Sequence, residues 1–176
     1  MRLPAVRKVA NGHYTPRRLR ISAADMTGMR AGILDAAVAG YRPDVLLVDK
    51  QPLGVGDELR PALSRLREGG GRAVLGLRDV LDDPAGVRAE WTPARTSIVL
   101  EHYGRVLVYG RENVFDTLRR SGLPPELAAR TRYCGYVTMA PTGDASAART
   151  IRGFRSGARS RPIVLVTTGG GEDGQR

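Results

Sequence analysis

Residues 43–54 read Pro43-Asp44-Val45-Leu46-Leu47-Val48-Asp49-Lys50-Gln51-Pro52-Leu53-Gly54, and this stretch decides the fold. Val45 to Val48 are apolar without a polar residue between them. A strand buried on both faces has this composition, and such strands belong to parallel sheets. A charged pair, Asp49-Lys50, ends the run, and a Pro–Gly loop follows.

Working outward, both flanks read as helices. Ser22 with Asp25 three places on is a capping pair, and Met26, Met29, Ile33 and Ala37 repeat at helical spacing. This predicts a helix over 22–39, ended by Gly40 and kept from continuing by Pro43. Downstream, Asp57-Glu58-Leu59 opens a helix with Leu59, Leu63 and Leu66 on one face. Pro61 sits in its first turn and Gly69-Gly70-Gly71 stops it. The cycle then repeats. A strand is expected over Ala73–Leu77, a short helix from Pro84 after Asp82 or Asp83, and a longer one over Thr92–His102. A strand follows at Val106–Tyr109, then helical turns around Val114–Arg120 and Pro125–Ala129, and a short strand at Tyr133–Val137. Strands alternating with helices imply right-handed crossovers and one parallel sheet. The fold class is α/β, a Rossmann-like parallel sheet flanked by helices.

Residues 138–161 are small, polar and basic, and read as a linker. Ile163-Val164-Leu165-Val166 is a fifth strand, followed at once by Gly169-Gly170-Gly171. The expected organisation is an incomplete Rossmann-like domain over 1–138, a basic linker over 139–161, and the start of a second domain over 162–176. Met1 to Arg20 offers neither the apolar strand nor the Gly-rich turn that usually opens such a sheet.

The formal charge of +10 is uneven. Residues 1–42 carry eight bases and two acids, residues 43–148 balance at fourteen of each, and 149–161 hold five Arg and no acid. Basic ends can meet nucleic acid, anionic lipid or a phosphorylated ligand. However, all bases except Lys8 and Lys50 are Arg, which is also what a compositional bias produces. Nucleic-acid binders interleave bases with aromatics. Tyr14 and Tyr41 in the first cluster and Phe154 in the second are the only aromatics there, so nucleic acid is the least favoured partner. Cys134 is the single cysteine, which excludes an internal disulfide or cysteine metal site and fits a reducing, cytoplasmic compartment. Neither a signal-peptide core at the start nor an apolar run of membrane-spanning length is present in the sequence.

In open parallel sheets ligands bind outside the carboxyl ends of the strands. That rule selects Asp49, Lys50 and Gly54; Arg78 and Asp79; Gly110-Arg111-Glu112; and Thr167-Thr168-Gly169-Gly170-Gly171. Lys50 can hold an anion while Asp49 orients a hydroxyl; equally, the two can form a strand-end ion pair that fixes the loop. Arg78 can clamp a phosphate by two hydrogen bonds or bridge to Asp79, Asp82 or Asp83. The triple glycine matches neither established phosphate-loop pattern, but its place after an apolar strand suits a loop whose bare N–H groups meet a diphosphate. His102 reads as a cap or surface residue late in a helix, His13 as part of a polar loop, and Cys134 as a small buried apolar side chain. No catalytic base, metal-ligand spacing or cofactor motif stands out.

Several of these strand ends together resemble a known family. The carriers are Pro43 to Gly54 with Glu58-Leu59; Val74-Leu75-Gly76-Leu77-Arg78-Asp79-Val80-Leu81-Asp82-Asp83-Pro84 with Glu90-Trp91; Val108-Tyr109-Gly110; Tyr133-Cys134-Gly135-Tyr136-Val137; and Leu165 to Gly171. They resemble the predicted glycosyltransferases related to glycosyltransferase family 28, a group that includes the enzyme adding N-acetylglucosamine to the lipid-linked peptidoglycan precursor. The resemblance implies a GT-B fold, two Rossmann-like domains facing across a cleft. It places the acceptor on residues 1–138 and the donor diphosphate at Thr168, Gly169, Gly170 and Gly171. Transfer would need no metal. The family's first strand, its Gly-rich, His-containing loop and its donor-binding helix have no counterpart here, so the chain reads as the middle of a longer transferase, inactive alone.

The expected function is therefore hexose transfer from a nucleotide diphosphate sugar to a hydroxyl acceptor, including a lipid-linked one, with peripheral contact to an anionic inner membrane face. The alternative is a non-catalytic Rossmann-like module that binds a phosphorylated ligand or a protein partner.

Overall fold

The chain opens with an antiparallel hairpin where the sequence offered no opening strand. In the computed structural model, which describes residues 2–10 and 13–137, β1 (Val6–Ala10) pairs with β2 (His13–Pro16). His13 thus begins a strand rather than lying in a polar loop. The expected linker and second-domain start, 139–161 and 162–176, lie outside the described residues, and so do Thr168, Gly169, Gly170 and Gly171.

Helix α1 (Ala23–Tyr41) starts as expected: Ser22 Oγ accepts from Asp25 N at 3.0 Å and donates to the Asp25 carboxylate at 2.7 Å. Gly40 does not end it. The helix runs through Tyr41 and closes at Arg42, whose φ of 44° lies in the left-handed region, with Arg42 N on Val38 O and Pro43 next. Nor is Met29 on the packed face: it is 44% exposed, while Met26 and Val38 are buried. Arg30 takes the place one turn after Met26, for a reason given below.

The sheet holds β3 (Val45–Asp49), β4 (Arg72–Arg78), β5 (Tyr103–Tyr109) and β6 (Thr131–Tyr133), adjacent in chain order and all parallel. Its crossovers carry α2 (Arg60–Glu68), α3 (Pro84–Glu90), α4 (Pro93–His102) and α5 (Thr117–Arg120), with 3-10 segments at Val55–Asp57 and Pro125–Arg130. Helix α2 begins at Arg60, later than Asp57, because Gly56 and Asp57 have φ of 61° and 65° and cannot continue a helix. β5 starts three residues before the expected Val106, directly from α4. β6 covers Thr131–Tyr133 rather than Tyr133–Val137, so Cys134 falls beyond the strand and is exposed.

Right-handed crossovers between strands placed in chain order put every connecting helix on one face. That face holds the core: Val48, Leu75, Leu77 and Val106 pack with Leu63, Leu66, Val87, Trp91, Val99 and Leu127. The other face is uncovered among the described residues. Val45 and Leu47, read as buried on both sides, are 57% and 55% exposed. The apolar run Val45–Val48 therefore splits by alternation. Leu46 and Val48 turn to the core, whereas Val45, Leu47 and Asp49 turn away from it.

Candidate functional site at the carboxyl edge of the sheet

The carboxyl ends of β3, β4 and β5 share one edge, and the loop after β3 is its most constrained part. Lys50 sits at φ 61°, with its N–H on Gly76 O at 2.8 Å and Gln51 N on Asp49 O at 2.7 Å. Gly54, Gly56 and Asp57 follow at φ 71°, 61° and 65°. A left-handed conformation costs an L residue about 1–2 kcal/mol, and such residues persist only where their surroundings over-determine them.

Three ties hold this loop. The buried Tyr103 hydroxyl donates to Pro52 O, and burial pushes that phenol's pKa up. Leu59 N donates to Leu53 O at 2.9 Å. Arg30 makes a two-pronged bond to Glu58, at 2.5 and 2.7 Å, with side chains only 11% and 5% exposed, and its other nitrogen reaches Pro4 O at 2.6 Å. That pair is why Arg30 occupies the packed face of α1. It also explains Gly54: a Cβ there would lie 2.8 Å from Glu58 Cγ, besides straining φ.

Beside the loop is a concavity of about 770 Å³, lined by Lys50, Gln51, Gly54, Thr92 and Arg95 among others, with Tyr14 from the hairpin. Gln51 joins two elements across it. Its amide nitrogen donates to Glu90 Oε1 at 3.1 Å, and its amide oxygen accepts from Arg95, which lies 3.5 Å from the same Glu90 oxygen. The lining carboxylates are all engaged: Glu90 as just described, Asp57 by Arg60 at 3.0 Å, and Asp82 by Asp83 N at 2.9 Å. Lys50 is exposed and takes no part in the ion pairs of the described residues. The site can thus bind an anionic or hydroxylated group, and each of its carboxylates is already engaged by protein at one oxygen.

Of the residues selected from sequence, Lys50 and Gly54 line this concavity. Asp49 and Arg78 lie on the uncovered face, by strand alternation and by the register Asp49↔Gly76 and Arg78↔Tyr109. Neither strand-end ion pair forms among the described residues. Asp79 accepts from Val80 N at 2.8 Å, and Asp83 caps α3 through Ala85 N and Gly86 N. Asp79 packs so closely on Gly110 that a Cβ there would lie 2.6 Å from its own, and its carbonyl accepts from the buried Thr117 hydroxyl at 2.8 Å. A second concavity of about 470 Å³ at the ends of β5 and β6 is lined by Gly110, Arg111, Glu112, Asn113, Tyr133 and Gly135.

Sequence reasoning did not single out Gln51, Glu90 and Arg95 as a set, because 39 and 44 residues separate the partners. It also missed Tyr109. A Cβ at Gly76 would lie 1.8 Å from the Tyr109 hydroxyl, so the ring lies across β4 on the uncovered face. Burial raises the Tyr109 phenol, and the Asp49 carboxylate raises it further. His102 is not a surface residue: its side chain is 4% exposed, its Nδ1 is buried without a partner, and burial lowers its pKa. It stands at the amino end of β5, across the sheet from the site. Among the described residues no three His, Cys, Asp or Glu side chains gather as metal ligands, and no helix is long and apolar enough to cross a membrane.

Comparison of the chain with family models, with curated proteins and with solved structures finds no match.

Proposed function

We propose that this chain serves hexose transfer from a nucleotide diphosphate sugar to a hydroxyl acceptor, with residues 1–138 holding the acceptor at the carboxyl edge of the sheet. One observation carries most weight: Lys50, held in a left-handed turn and without an ion-pair partner among the described residues, at the mouth of a concavity of about 770 Å³ beyond the end of a parallel strand. The GT-B arrangement, with Thr168 to Gly171 meeting the donor diphosphate, rests on the resemblance of the motifs. So do a lipid-linked acceptor and a cytoplasmic site of action against an anionic membrane face.

A second reading has its own support. Since Asp57, Asp82 and Glu90 are each engaged, the concavity suits binding better than proton transfer. On this reading the chain is a non-catalytic module for a phosphorylated ligand. Incubation of the chain, alone and joined to a complete donor-binding domain, with radiolabelled uridine and thymidine diphosphate sugars and a panel of alcohol acceptors separates the two, alongside calorimetric titration of the same sugars into both forms. Labelled product supports transfer. Nucleotide-sugar binding that weakens in Lys50→Ala, without product, supports the module. Neither binding nor product overturns both.

A further inference from the structure

Parallel sheets are normally covered on both faces, so polar and aromatic groups arranged on a face that no other described residue covers call for an explanation. Glycine in a strand interior weakens the strand and marks close approach of another group. Gly76 lies in the middle of β4, fully flanked by β3 and β5, and is buried. Tyr109 covers it: a methyl at position 76 would meet the hydroxyl at 1.8 Å and the ring carbon that carries it at 2.5 Å. The hydroxyl end of the ring therefore lies over the β4 backbone, while the residue as a whole remains partly exposed. The Tyr103 and Tyr133 hydroxyls bond to protein groups, but that of Tyr109 has no hydrogen-bond partner among the described residues. Register brings Asp49 beside Gly76 on one side and makes Arg78 the direct neighbour of Tyr109 on the other, both exposed and both outside the ion pairs of the described residues.

An aromatic ring anchored over a glycine and flanked by a carboxylate and a guanidinium has a definite complement. The negative face of the ring attracts the row of C–H groups on the apolar side of a pyranose. A carboxylate accepts from adjacent ring hydroxyls, and a guanidinium donates to ring or hydroxyl oxygens. We infer that Tyr109, seated on Gly76, is the floor of a saccharide subsite in which Asp49 and Arg78 hold the sugar's hydroxyls. This rests on the transferase reading and narrows it: the acceptor hydroxyl belongs to a glycoside.

The test is an NMR titration of the chain with methyl β-D-glucopyranoside and with the methyl glycoside of N-acetylglucosamine. Wild type is compared with Tyr109→Ala, Tyr109→Phe, Gly76→Ala and, as a control on the same face, Val45→Thr. The expected result is saturable binding by wild type, unchanged in Val45→Thr and about tenfold weaker, about 1.4 kcal/mol, in Tyr109→Ala. Tyr109→Phe keeps the plate and loses only the hydroxyl, so it binds with an intermediate affinity even if Gly76→Ala fails to fold. Absence of glycoside binding in wild type, or equal binding in Tyr109→Ala, overturns the subsite. Sugar transfer to a non-saccharide alcohol with no glycoside binding would overturn the subsite and leave the transferase reading standing. Glycoside binding lost in Tyr109→Ala, with no transfer to any acceptor, would do the reverse.

Discussion

The two faces of the sheet are built from the same strands and have opposite characters. On the helical side Val48, Leu75, Leu77 and Val106 are at most 7% exposed, sealed by α2, α3 and α4. On the other side Val45 and Leu47 stand open beside Asp49, Arg78 and Tyr109. The helical face holds the domain together, and the open face with its carboxyl edge carries the exposed charged side chains. The loop after β3 is where they meet: it is fixed from the core side by Glu58, Arg30 and Tyr103, and it displays Lys50 outward.

Breaking the fixing side has the largest effect. Glu58→Ala leaves Arg30 buried without its partner and is expected to destabilise by about 3–5 kcal/mol in urea denaturation. A matched pair of truncations then measures the faces against each other. Leu75→Ala, in the core, is expected to lose about 2–5 kcal/mol, whereas Leu47→Ala, two residues from Asp49 on the open face, shifts stability by about 0.5 kcal/mol or less. Similar losses from the two would contradict an open face. Lys50→Gly relieves the left-handed turn and is expected to gain up to about 1 kcal/mol while weakening acceptor binding. A gain in stability without that loss would leave the strained turn without a functional role.

The smallest effect concerns His102, at the amino edge. Burial lowers its pKa in the folded chain, so the unfolded chain takes up the proton first. Its contribution is fully present above the unfolded value of about 6.5 and fades as pH falls below it. Denaturation midpoints of wild type should drop over that range, with a shallower slope in His102→Leu.

The alternation of strand and helix was legible because each apolar run and leucine stripe is local: Val45–Val48, Leu59-Leu63-Leu66, Ala73–Leu77. The edge rule likewise brought Lys50 and Gly54 to the concavity. The uncovered face was not legible, since a continuous apolar run looks the same whether one side or both are packed. The opening hairpin was hidden by Arg7 and Lys8 among its apolar residues, although Asn11-Gly12 is a strong hairpin signal in sequence. The seat of Tyr109 on Gly76 and the Gln51–Glu90–Arg95 network depend on strand register and long-range packing, which no local pattern encodes.

The central claim is that ligands meet the carboxyl edge and not another part of the surface. Amide chemical-shift mapping during titration with a methyl glycoside, the acceptor probe, tests it directly. The account predicts shifts concentrated in Asp49–Asp57, Arg78–Asp83 and Tyr109–Asn113. It would be contradicted by shifts centred on the groove of about 580 Å³ at the opposite edge, around Arg42–Asp44 and Gly69–Gly71, or by none at saturating ligand.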